Sequence, residues 1–534
     1  MSLPTFGWSK DKAELWIRSN AAFSVSLAVK GSKYYDVKPT PVVTMPWTFD
    51  NVLKASELSC PVIGTILRDY KFAGLFSPYQ HQRDICSFLV SNRRAFCLAD
   101  MGTGKTASCV WAIDYLMKIG QVNRVLILCD MNNMRNTWES EFYGINPQLY
   151  TTVIHDTSKA AKQKLAKSTA PIHIVNHDGI KSMYEELMSN RYDLVVIDEL
   201  TRFKNANSQR FKRAYELVQS KAKWVWGLTG TPTPNSPDEA YGQIKLINPS
   251  KLKGMSYYAF RDKVMRKVTQ FKWVAKTDAN ITIQQLMQPA IVIKKEDCLD
   301  LPPVTSVYKE VPLSEQQKQW YDRLKHDRLV SDTAVGEVSA VNGGALFNKL
   351  IQIATGAIYN DNGEAFAIDI ENRLVLAKAI VERSREESSD PKKGKTLIFV
   401  PFKHTAEIVR QYMENYFKIA VITGDTPVKE RDKIIRSFQT TEHPDLIIAV
   451  PGTMSHGVTA TSASTIIWFG PVTSNEVYTQ ACQRINRPGQ TQNMYMVHLY
   501  GSTTERKLYE LLQHRQVSQR NLLALYEEFE NEVS

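Results

Sequence analysis

A glycine-rich stretch near residue 100 has the composition of a phosphate-binding loop. The sequence "ADMGTGKT" (99–106) ends an apolar run and precedes the helical pattern "ASCVWAIDYLM". Glycines between a strand and a helix leave backbone N–H groups free to bind phosphate at the helix N-terminus. Lys105 would then reach the β- and γ-phosphates of a nucleotide, and the hydroxyl of Thr106 would ligate Mg²⁺. The cradle itself comprises Met101, Gly102, Thr103 and Gly104.

Two adjacent carboxylates close a second apolar run, "DLVVIDEL" (193–200). The apolar residues before them favour a buried strand end over an acidic surface pair. Asp198 would hold Mg²⁺ through water, and Glu199 would polarise the water that attacks the γ-phosphate. Downstream of a phosphate-binding loop, this pair predicts nucleotide hydrolysis.

Short runs rich in Val, Ile and Leu recur in two groups and predict the strands that carry these residues. Runs of this length indicate parallel strands buried on both faces, with crossover helices between them. Parallel strands present their functional residues at their C-terminal ends. The sequence therefore predicts an α/β protein with two lobes and a cleft between them. The predicted strands are 95–100, 124–130, 172–178, 193–198 and 224–230, then 395–401, 419–425, 445–451, 465–471 and 494–500.

Two arginines lie three positions apart in "QACQRINRPGQ" (480–490), with no acidic residue in the stretch. At a helix end, this spacing would bring Arg484 and Arg487 onto one face. An isolated pair of this kind usually forms a solvated basic face. The phosphate loop offers another interpretation, in which lobe closure brings both arginines onto the γ-phosphate to neutralise charge in the transition state.

The composition is that of an ordinary globular chain with a basic surplus. The 534 residues exceed what one hydrophobic core can organise, so we expect two or three domains. The formal net charge of +11 is compatible with binding a polyanion. The N-terminus lacks the pattern of a signal peptide, and no apolar run is long enough for a membrane span. Seven scattered cysteines without a C-x-x-C pair favour a reducing, cytoplasmic location, the host cytoplasm if a virus encodes the chain.

Taken in order, the motifs resemble those of superfamily-two helicases of the Swi/Snf type, and in particular the compact versions encoded by bacteriophages. The similar segments are "SPYQHQ", "LADMGTGKT", "CDMNNMRNTWESEF", "DELTRFKN", "LTGTPTPN", "IVIKKEDCLDLPPVTSVYKEVPLSEQQKQWY", "ITGDTPVKERDKIIRSF", "SHGVT" and "QACQRINRPGQ". Together they cover residues 78–512. Thr201 departs from the family pattern, which has a histidine there, and so does Thr473, where the family has a tryptophan.

The resemblance implies further nucleotide contacts and an ATP-dependent, Mg²⁺-dependent activity. Gln80 would read the adenine, and Gly457 of "SHGVT" would lie beside the nucleotide. Because Thr201 replaces the family's histidine, Gln480 is expected to link the nucleotide to the arginine motif.

The resemblance also implies two RecA-like lobes that grip duplex or branched DNA without sequence preference, in a chain that acts as a monomer. Such a grip needs hydroxyls, amides and cations at the ends of strands. The candidate DNA contacts are Asn133, Arg135, His177, Thr231, Asn235, Lys403, Thr453 and His456. The stretch 251–276 mixes basic and aromatic residues, which is typical of a nucleic-acid surface and equally of a solvated helical hairpin.

The expected domain order is an accessory module, a first lobe, a helical inter-lobe segment, a second lobe and an amphipathic C-terminal helix. The stretch 29–58 predicts two short strands and a helix in the accessory module. The corresponding ranges are 1–74, 75–300 with a helical insertion at 250–295, 301–370, 371–503 and 504–534.

The leading interpretation is an ATP-driven DNA translocase that unwinds, reanneals or remodels branched DNA. A remodeller of protein–DNA complexes without strand separation, a nucleotide-switched binding module and an RNA helicase remain as alternatives. Intact Lys105, Glu199, Arg484 and Arg487 disfavour the binding module, and the inter-lobe signature disfavours RNA.

Overall fold

The computed structural model divides the chain into two compact units, Met1–Cys298 and Leu299–Ser534. The structure describes residues 6–74, 76–230, 232–233, 236–269, 273–298, 301–321, 348–359, 365–454 and 459–514. Within these ranges, no helix has both the length and the apolar character needed to cross a bilayer.

The N-terminal 74 residues carry a small antiparallel sheet with its own core. The strand order is β1-β2-β4-β3. The elements are β1 (Phe6–Trp8), β2 (Glu14–Arg18), α1 (Ala22–Ala28), β3 (Lys33–Tyr35), β4 (Val42–Pro46), α2 (Phe49–Glu57) and α3 (Ile66–Asp69). The two strands and the helix predicted within 29–58 are confirmed as β3, β4 and α2. Strands β1 and β2 were not predicted, because their three and five residues give little periodicity.

A seven-stranded parallel sheet organises the rest of the first unit, in the order β13-β5-β10-β9-β6-β8-β7. Its strands are β5 (Arg94–Ala99), β6 (Val125–Cys129), β7 (Thr151–Val153), β8 (Ile172–Asn176), β9 (Leu194–Ile197), β10 (Trp224–Thr229) and β13 (Ala290–Ile293). A separate hairpin, β11 (Met265–Lys267) and β12 (Trp273–Ala275), precedes β13 in the chain. All five strands predicted for this lobe are present. Val125 and Ile127 of β6 pack into one core while Leu126 and Leu128 pack into another, as the continuous apolar runs predicted.

Helices cover the seven-stranded sheet and connect its strands. They are α4 (Gln80–Ser91), α5 (Lys105–Lys118), α6 (Ser140–Ile145), α7 (Lys159–Ala166), α8 (Gly179–Ser182), α9 (Tyr184–Ser189), α10 (Gln209–Lys221), α11 (Ala240–Ile247), α12 (Tyr257–Val264), α13 (Ala279–Leu286) and α14 (Lys295–Cys298).

The insertion expected to be helical at 250–295 contains helices α12 and α13 and also strands. The strands are the β11–β12 hairpin and β13, which pairs in parallel with β5 at the edge of the sheet. A four-residue strand such as "AIVI" gives no reliable period of its own, and the exposed edge of β5 decides its conformation.

A six-stranded parallel sheet, in the order β14-β21-β20-β17-β19-β18, forms the second unit. The strands of this unit are β14 (Val304–Glu310), β15 (Ala357–Tyr359), β16 (Ala365–Ala367), β17 (Lys395–Phe399), β18 (Ile419–Ile422), β19 (Leu446–Ala449), β20 (Ala463–Trp468) and β21 (Met494–Tyr500). Its helices are α15 (Glu371–Glu386), α16 (Lys403–Met413), α17 (Val428–Thr440), α18 (Asn475–Cys482) and α19 (Thr503–Gln513). All five strands predicted here are present, so the α/β fold class with two parallel sheets is confirmed.

The segment expected to be a helical connection, 301–370, begins instead with a strand of the second sheet. All seven residues of β14 pair in parallel with β21. Polar residues in "VTSVYKE" conceal this strand in the sequence, because an edge strand is only partly buried.

The C-terminal helix α19 is fixed to helix α15 by a buried ion pair. Arg373 and Glu505 are 2% and 3% exposed, and two N–H···O bonds of 3.0 Å join them. Ser502 caps the helix by accepting a bond from the N–H of Glu505. The Glu505 side chain accepts from the N–H of Gly501 as well as from Arg373. In the sequence the amphipathic pattern continues through Leu522, Leu525 and Phe529, which lie outside the described residues.

Candidate functional site

The phosphate-binding loop lies between β5 and α5, where the sequence placed it. Gly102 and Gly104 have φ angles of +84° and +80°, which side chains with a Cβ rarely adopt. Gly104 is the N-cap of α5, so the helix opens with unsatisfied N–H groups facing the loop. A Cβ at Gly104 would also collide with the side-chain amide of Gln82.

Lys105 lies across the carbonyl groups that begin this loop. Its Nζ donates to the carbonyl oxygens of Ala99 at 2.6 Å and Asp100 at 3.1 Å. Thr103 is buried, and its hydroxyl also donates to the Asp100 carbonyl, at 2.8 Å. The ammonium group is therefore held at the mouth of the loop by neutral acceptors, which an anion can outcompete.

The glutamine that faces the loop is a different one from the glutamine predicted. Gln80 is exposed at the start of α4, where its amide donates to Asp84 at 2.9 Å. His81 and Gln82 are buried instead, and His81 Nε2 lies 2.8 Å from the Thr103 carbonyl oxygen. The sequence "YQHQ" contains both glutamines, but only the helix start at Gln80 decides which one turns inward.

The loop is also hydrogen-bonded to residues 293–295, a contact that the sequence did not predict. The N–H of Asp100 donates to the carbonyl of Ile293, and the N–H of Lys295 donates to the Asp100 carboxylate, both at 3.0 Å. These bonds follow from the pairing of β13 with β5, so edge strand β13 positions the start of the phosphate loop.

Asp198 follows β9 and is buried beside a tryptophan. It is 7% exposed, and its Oδ2 accepts a 3.0 Å bond from the indole N–H of Trp138. Trp138 lies in the π-helical segment Met134–Glu139, a backbone form frequent at functional sites. Burial raises the pKa of the Asp198 carboxyl, and the bond from Trp138 and the charge of Lys105 oppose that rise. A cation next to this carboxylate would offset its desolvation.

Glu199 has a backbone conformation that is strained for a residue with a side chain. Its φ of +49° and ψ of +58° lie in the left-handed region. The N–H of Glu199 donates to Asp198 Oδ1 at 3.1 Å, and its carbonyl accepts from the N–H of Arg202 at 2.9 Å. The turn between β9 and the 3₁₀ segment Leu200–Phe203 therefore fixes the backbone of Glu199.

His177 follows strand β8, which lies two strands from β9 in the sheet, and it supports this turn rather than facing a DNA backbone. It is 4% exposed, which corrects the prediction that it contacts DNA. Its Nε2 donates to the Asp198 carbonyl oxygen at 2.8 Å, and its Nδ1 lies 3.2 Å from Asp130 Oδ1. Asp130 in turn binds Arg202 at 3.3 Å. The family's histidine is absent at Thr201, and His177 is the histidine that contacts the carboxylate turn here.

The other candidate DNA contacts have varied positions. Asn133 is buried, because a backbone bond to the Asp130 carbonyl turns it inward, so this prediction too is corrected. Arg135 is exposed and lies 3.5 Å from Glu139. Lys403 is exposed and pairs with Asp425, while the half-buried Thr453 donates to the Val450 carbonyl. The remaining candidates, Thr231, Asn235, His456 and Gly457, lie outside the described residues.

In the second unit, the two arginines follow a helix end instead of sharing a helical face. Helix α18 ends at Cys482, which corrects the expected geometry. Each side chain folds back over four residues: Arg484 Nε donates to the Gln480 carbonyl at 2.7 Å, and Arg487 Nε to that of Gln483 at 3.2 Å. Gln480 itself is buried, and its amide donates to Glu476 at 3.2 Å. Cations at a helix C-terminus are favoured by its exposed carbonyls.

Arg484 and Arg487 differ in their surroundings. Arg484 is 1% exposed and belongs to the core of the second unit. Arg487 is half-buried, and its Nη1 donates to the Thr459 hydroxyl at 2.9 Å. Burial lowers the pKa of the Arg487 guanidinium to about 10, with no offsetting carboxylate among the described residues. A desolvated cation of this kind gains from an anionic ligand.

Two protein-family models match the chain. Residues 81–357 match the model of the SNF2-related domain, and residues 377–489 match the helicase conserved C-terminal domain. An uncharacterized ATP-dependent helicase of Mycoplasma genitalium is 24% identical over 78% of this chain. The match covers only 39% of the length of that helicase. Protein p41 of Acyrthosiphon pisum secondary endosymbiont phage 1 is 23% identical over 78% of this chain and 90% of its own length.

A solved structure with partial similarity is the SWI2/SNF2 ATPase core of Sulfolobus solfataricus in complex with dsDNA, at a TM-score of 0.41 and 22% identity. The match covers 83% of this chain and 92% of that one. The family assignment rests on the two domain models, the first of which spans more than half of the chain, and on motifs in the expected order. The chain belongs to the SNF2-related family of superfamily-two helicases.

Proposed function

We propose that this chain is an ATP-driven DNA translocase that moves on, unwinds or reanneals duplex or branched DNA. One observation carries the proposal: the loop that ends in Lys105 and the buried turn Asp198–Glu199 follow strands that are separated by a single strand in one parallel sheet. In an SNF2-related chain, this arrangement supports hydrolysis of a nucleoside triphosphate.

Lys105 would exchange its two carbonyl acceptors for the β- and γ-phosphates of ATP. The backbone N–H groups of Met101–Gly104 and the first turn of α5 supply the remaining donors. Gln82 and His81 hold the Thr103 carbonyl, so the loop keeps its shape when nucleotide leaves. Adenine recognition by Gln80 remains part of the proposal, with its exposed side chain free to move toward a base.

Mg²⁺ fits the residues present. Asp198 is a buried carboxylate whose pKa is raised by desolvation. The Thr106 hydroxyl and the Asp198 carboxylate would hold the ion, which when bound supplies charge neutralisation at the phosphates. Glu199 would orient the attacking water, and the strained turn holds its backbone in place for that task.

Residues of the second unit would complete the reaction. Arg487, a desolvated cation with no carboxylate partner in the described part of the chain, is suited to the charge that develops on the γ-phosphate. Arg484 would support the same region. Gln480 and Gly457 are the proposed links between this motif and the nucleotide. Hydrolysis would then depend on the two units closing on ATP, which couples chemistry to movement.

DNA is the partner that the charge and the family favour. The net charge of +11 suits phosphate binding, and Arg135, Lys403 and Thr453 offer groups at strand ends. Thr231, Asn235 and His456 complete the proposed contact set. We further propose that the chain acts as a monomer in the cytoplasm, the host's if a virus encodes it. All seven cysteines are free thiols, which fits a reducing compartment.

Replacing Lys105 or Glu199 should remove ATP turnover in different ways. Lys105→Ala deletes a charge donor at the phosphates, and such losses typically cost about 10²–10³ in kcat. Glu199→Gln should keep ATP binding and lose hydrolysis, because it removes the water-orienting carboxylate at constant size. Phosphate release and binding of a fluorescent ATP analogue measure the two effects. Lys118→Ala, at the other end of α5, is the matched control, and normal turnover in Lys105→Ala or Glu199→Gln would refute the site.

His177→Ala should lower kcat by about 10- to 100-fold while the KM for ATP changes by less than about threefold. The Asp198 carbonyl loses its donor, and small displacements of catalytic groups carry costs of this size. His177→Gln supplies an amide N–H near the position of Nε2 and should recover part of the rate. His155→Ala, an exposed histidine of the same unit, serves as the control. An unchanged kcat in His177→Ala would show that His177 does not position the carboxylate turn.

Arg487→Ala should lower kcat by about 10³–10⁵, the range typical of an arginine finger, and leave ATP affinity largely unchanged. Arg487→Lys should not restore the rate, because an ammonium lacks the planar fork of donors. Arg484→Ala should act in the same direction, with circular dichroism to check its fold. Arg436→Ala tests an exposed arginine of the same unit. Normal hydrolysis in both variants at saturating DNA would make the arginines structural.

Duplex and forked DNA should stimulate ATP hydrolysis, whereas RNA duplexes of the same sequence should not. Affinity should fall with salt, with a log–log slope of about −0.9 per phosphate neutralised. Translocation should displace a triplex-forming strand only when ATP can be hydrolysed. Equal stimulation by RNA would favour an RNA helicase. Displacement of a DNA-bound protein, without triplex displacement or strand separation, would favour the remodeller.

A further inference from the structure

The segment 251–276 concentrates positive charge that the proposed motor does not use. It contains eight lysines and arginines and one aspartate, so seven of the eleven net charges of the chain lie here. In the structure it comprises α12 and the β11–β12 hairpin. Phe260 and Val264 are fully buried in a core of the first unit, which anchors the helix firmly.

A groove with a volume of about 570 Å³ runs between α12 and the hairpin. We call it the hairpin groove, and it is lined by Tyr258, Arg261, Asp262, Met265, Arg266, Lys267, Trp273 and Lys276. Four of these residues are cations and one is a carboxylate. Arg266 and Lys267 are exposed on one hairpin strand. Lys276 Nζ donates to the backbone carbonyl of Asp262 at 2.6 Å, which fixes one cation at the edge of the groove.

Planar side chains form the wall of the hairpin groove. The guanidinium carbon of Arg261 lies 3.9 Å from the ring centroid of Trp273 and 5.4 Å from that of Tyr258. The Tyr258 residue is 68% exposed, a large fraction for an aromatic ring in a fixed helix. Arg261 Nε is buried without a hydrogen-bond partner within the described structure. The wall therefore presents an exposed ring and a guanidinium group to the same space.

Tyr258 also lines a larger cavity, with a volume of about 860 Å³. The wall of this cavity includes Lys204, Asn205 and Asn207, which closely follow the carboxylate turn. It also includes Asp238 and Glu239, and Lys204 pairs with Glu239 at 2.6 Å. The uncompensated cations are therefore those of the hairpin groove.

We propose that the hairpin groove binds single-stranded DNA, separately from the duplex grip of the motor. Cations attract the phosphates, and exposed rings stack with bases, which is how single strands are bound without sequence preference. In a duplex the bases stack on one another, so the Tyr258 ring would gain nothing. An acidic protein segment would bind the cations but would not stack on the Tyr258 ring. Binding here needs no ATP turnover, so the inference extends beyond the proposed function.

Charge reversal in the hairpin groove tests the phosphate part of the proposal. The full chain is titrated into labelled oligothymidylate, and binding is followed by fluorescence anisotropy. Arg266→Glu/Lys267→Glu should weaken binding by at least about tenfold, with a shallower salt dependence. Lys164→Glu/Lys167→Glu makes the same change of charge at two exposed lysines of the first unit and should bind nearly as the wild type does.

Substitution of Tyr258 tests the stacking part. Tyr258→Ala should weaken oligothymidylate binding by roughly 5- to 100-fold, the effect of removing one stacked ring. Tyr258→Phe keeps the ring and should stay within about twofold of the wild type. Because Tyr258 is exposed, neither change should disturb the fold, and circular dichroism checks this.

Two further measurements separate this proposal from the motor. Lys105→Ala should bind oligothymidylate as the wild type does, even though its ATP turnover is lost. Duplex-stimulated ATPase should persist in Arg266→Glu/Lys267→Glu. Unchanged oligothymidylate binding in both groove variants would overturn the proposal. Equal losses of duplex and single-strand binding on charge reversal, with no effect of Tyr258→Ala, would also overturn it and make the groove a duplex surface.

Discussion

The register of three parallel strands, β5, β10 and β9, is the constraint on which the candidate site depends. Backbone pairing aligns Thr229 of β10 with Leu98 of β5, and Gly227 of β10 with Ile197 of β9. The phosphate loop and the carboxylate turn therefore both lie at the C-terminal ends of the strands, with one strand between them. A slip of one residue would send alternate side chains to the opposite face and separate Lys105 from the buried carboxylate.

Burying the Asp198 carboxylate at the end of β9 costs solvation free energy, which neighbouring side chains offset in part. Desolvation disfavours the charged form of Asp198, and the bond from Trp138 and the charge of Lys105 favour it. The turn after Asp198 is strained at Glu199, and His177 and Arg202 hold the backbone on either side of it. The strain at Glu199 and the burial of Asp198 both persist because strands β6 and β8 of the same sheet rigidly support the turn.

The second unit also removes charged side chains from water, and here the side chains are cations, whereas in the first unit the side chain is a carboxylate. The Arg373–Glu505 pair is buried and fully hydrogen-bonded, so its charges are compensated within the unit. Arg487 is half-buried, and it has hydroxyl and carbonyl partners in place of a carboxylate. A partner anion from outside the unit would therefore stabilise Arg487 and would add little at Arg373.

The sequence by itself determined the residues of the site and the sheets that carry them. Ten apolar runs predicted ten strands, because strands buried on both faces require continuous Val, Ile and Leu. Lys105, Asp198 and Glu199 were identified from their spacing after such runs, since a strand end fixes where a side chain emerges. The motif order identified the family for the same local reason.

Tertiary structure decided what depends on distant segments. Strands β13 and β14 were missed because an edge strand takes its conformation from the sheet beside it. Gln82 and His81, rather than Gln80, face the loop because of where α4 begins, and Trp138 reaches Asp198 across sixty residues of sequence. His177 was assigned to DNA because its loop position is all that the sequence shows. Its burial beneath the carboxylate turn arises from the packing of β8 beside β6, which no local pattern encodes.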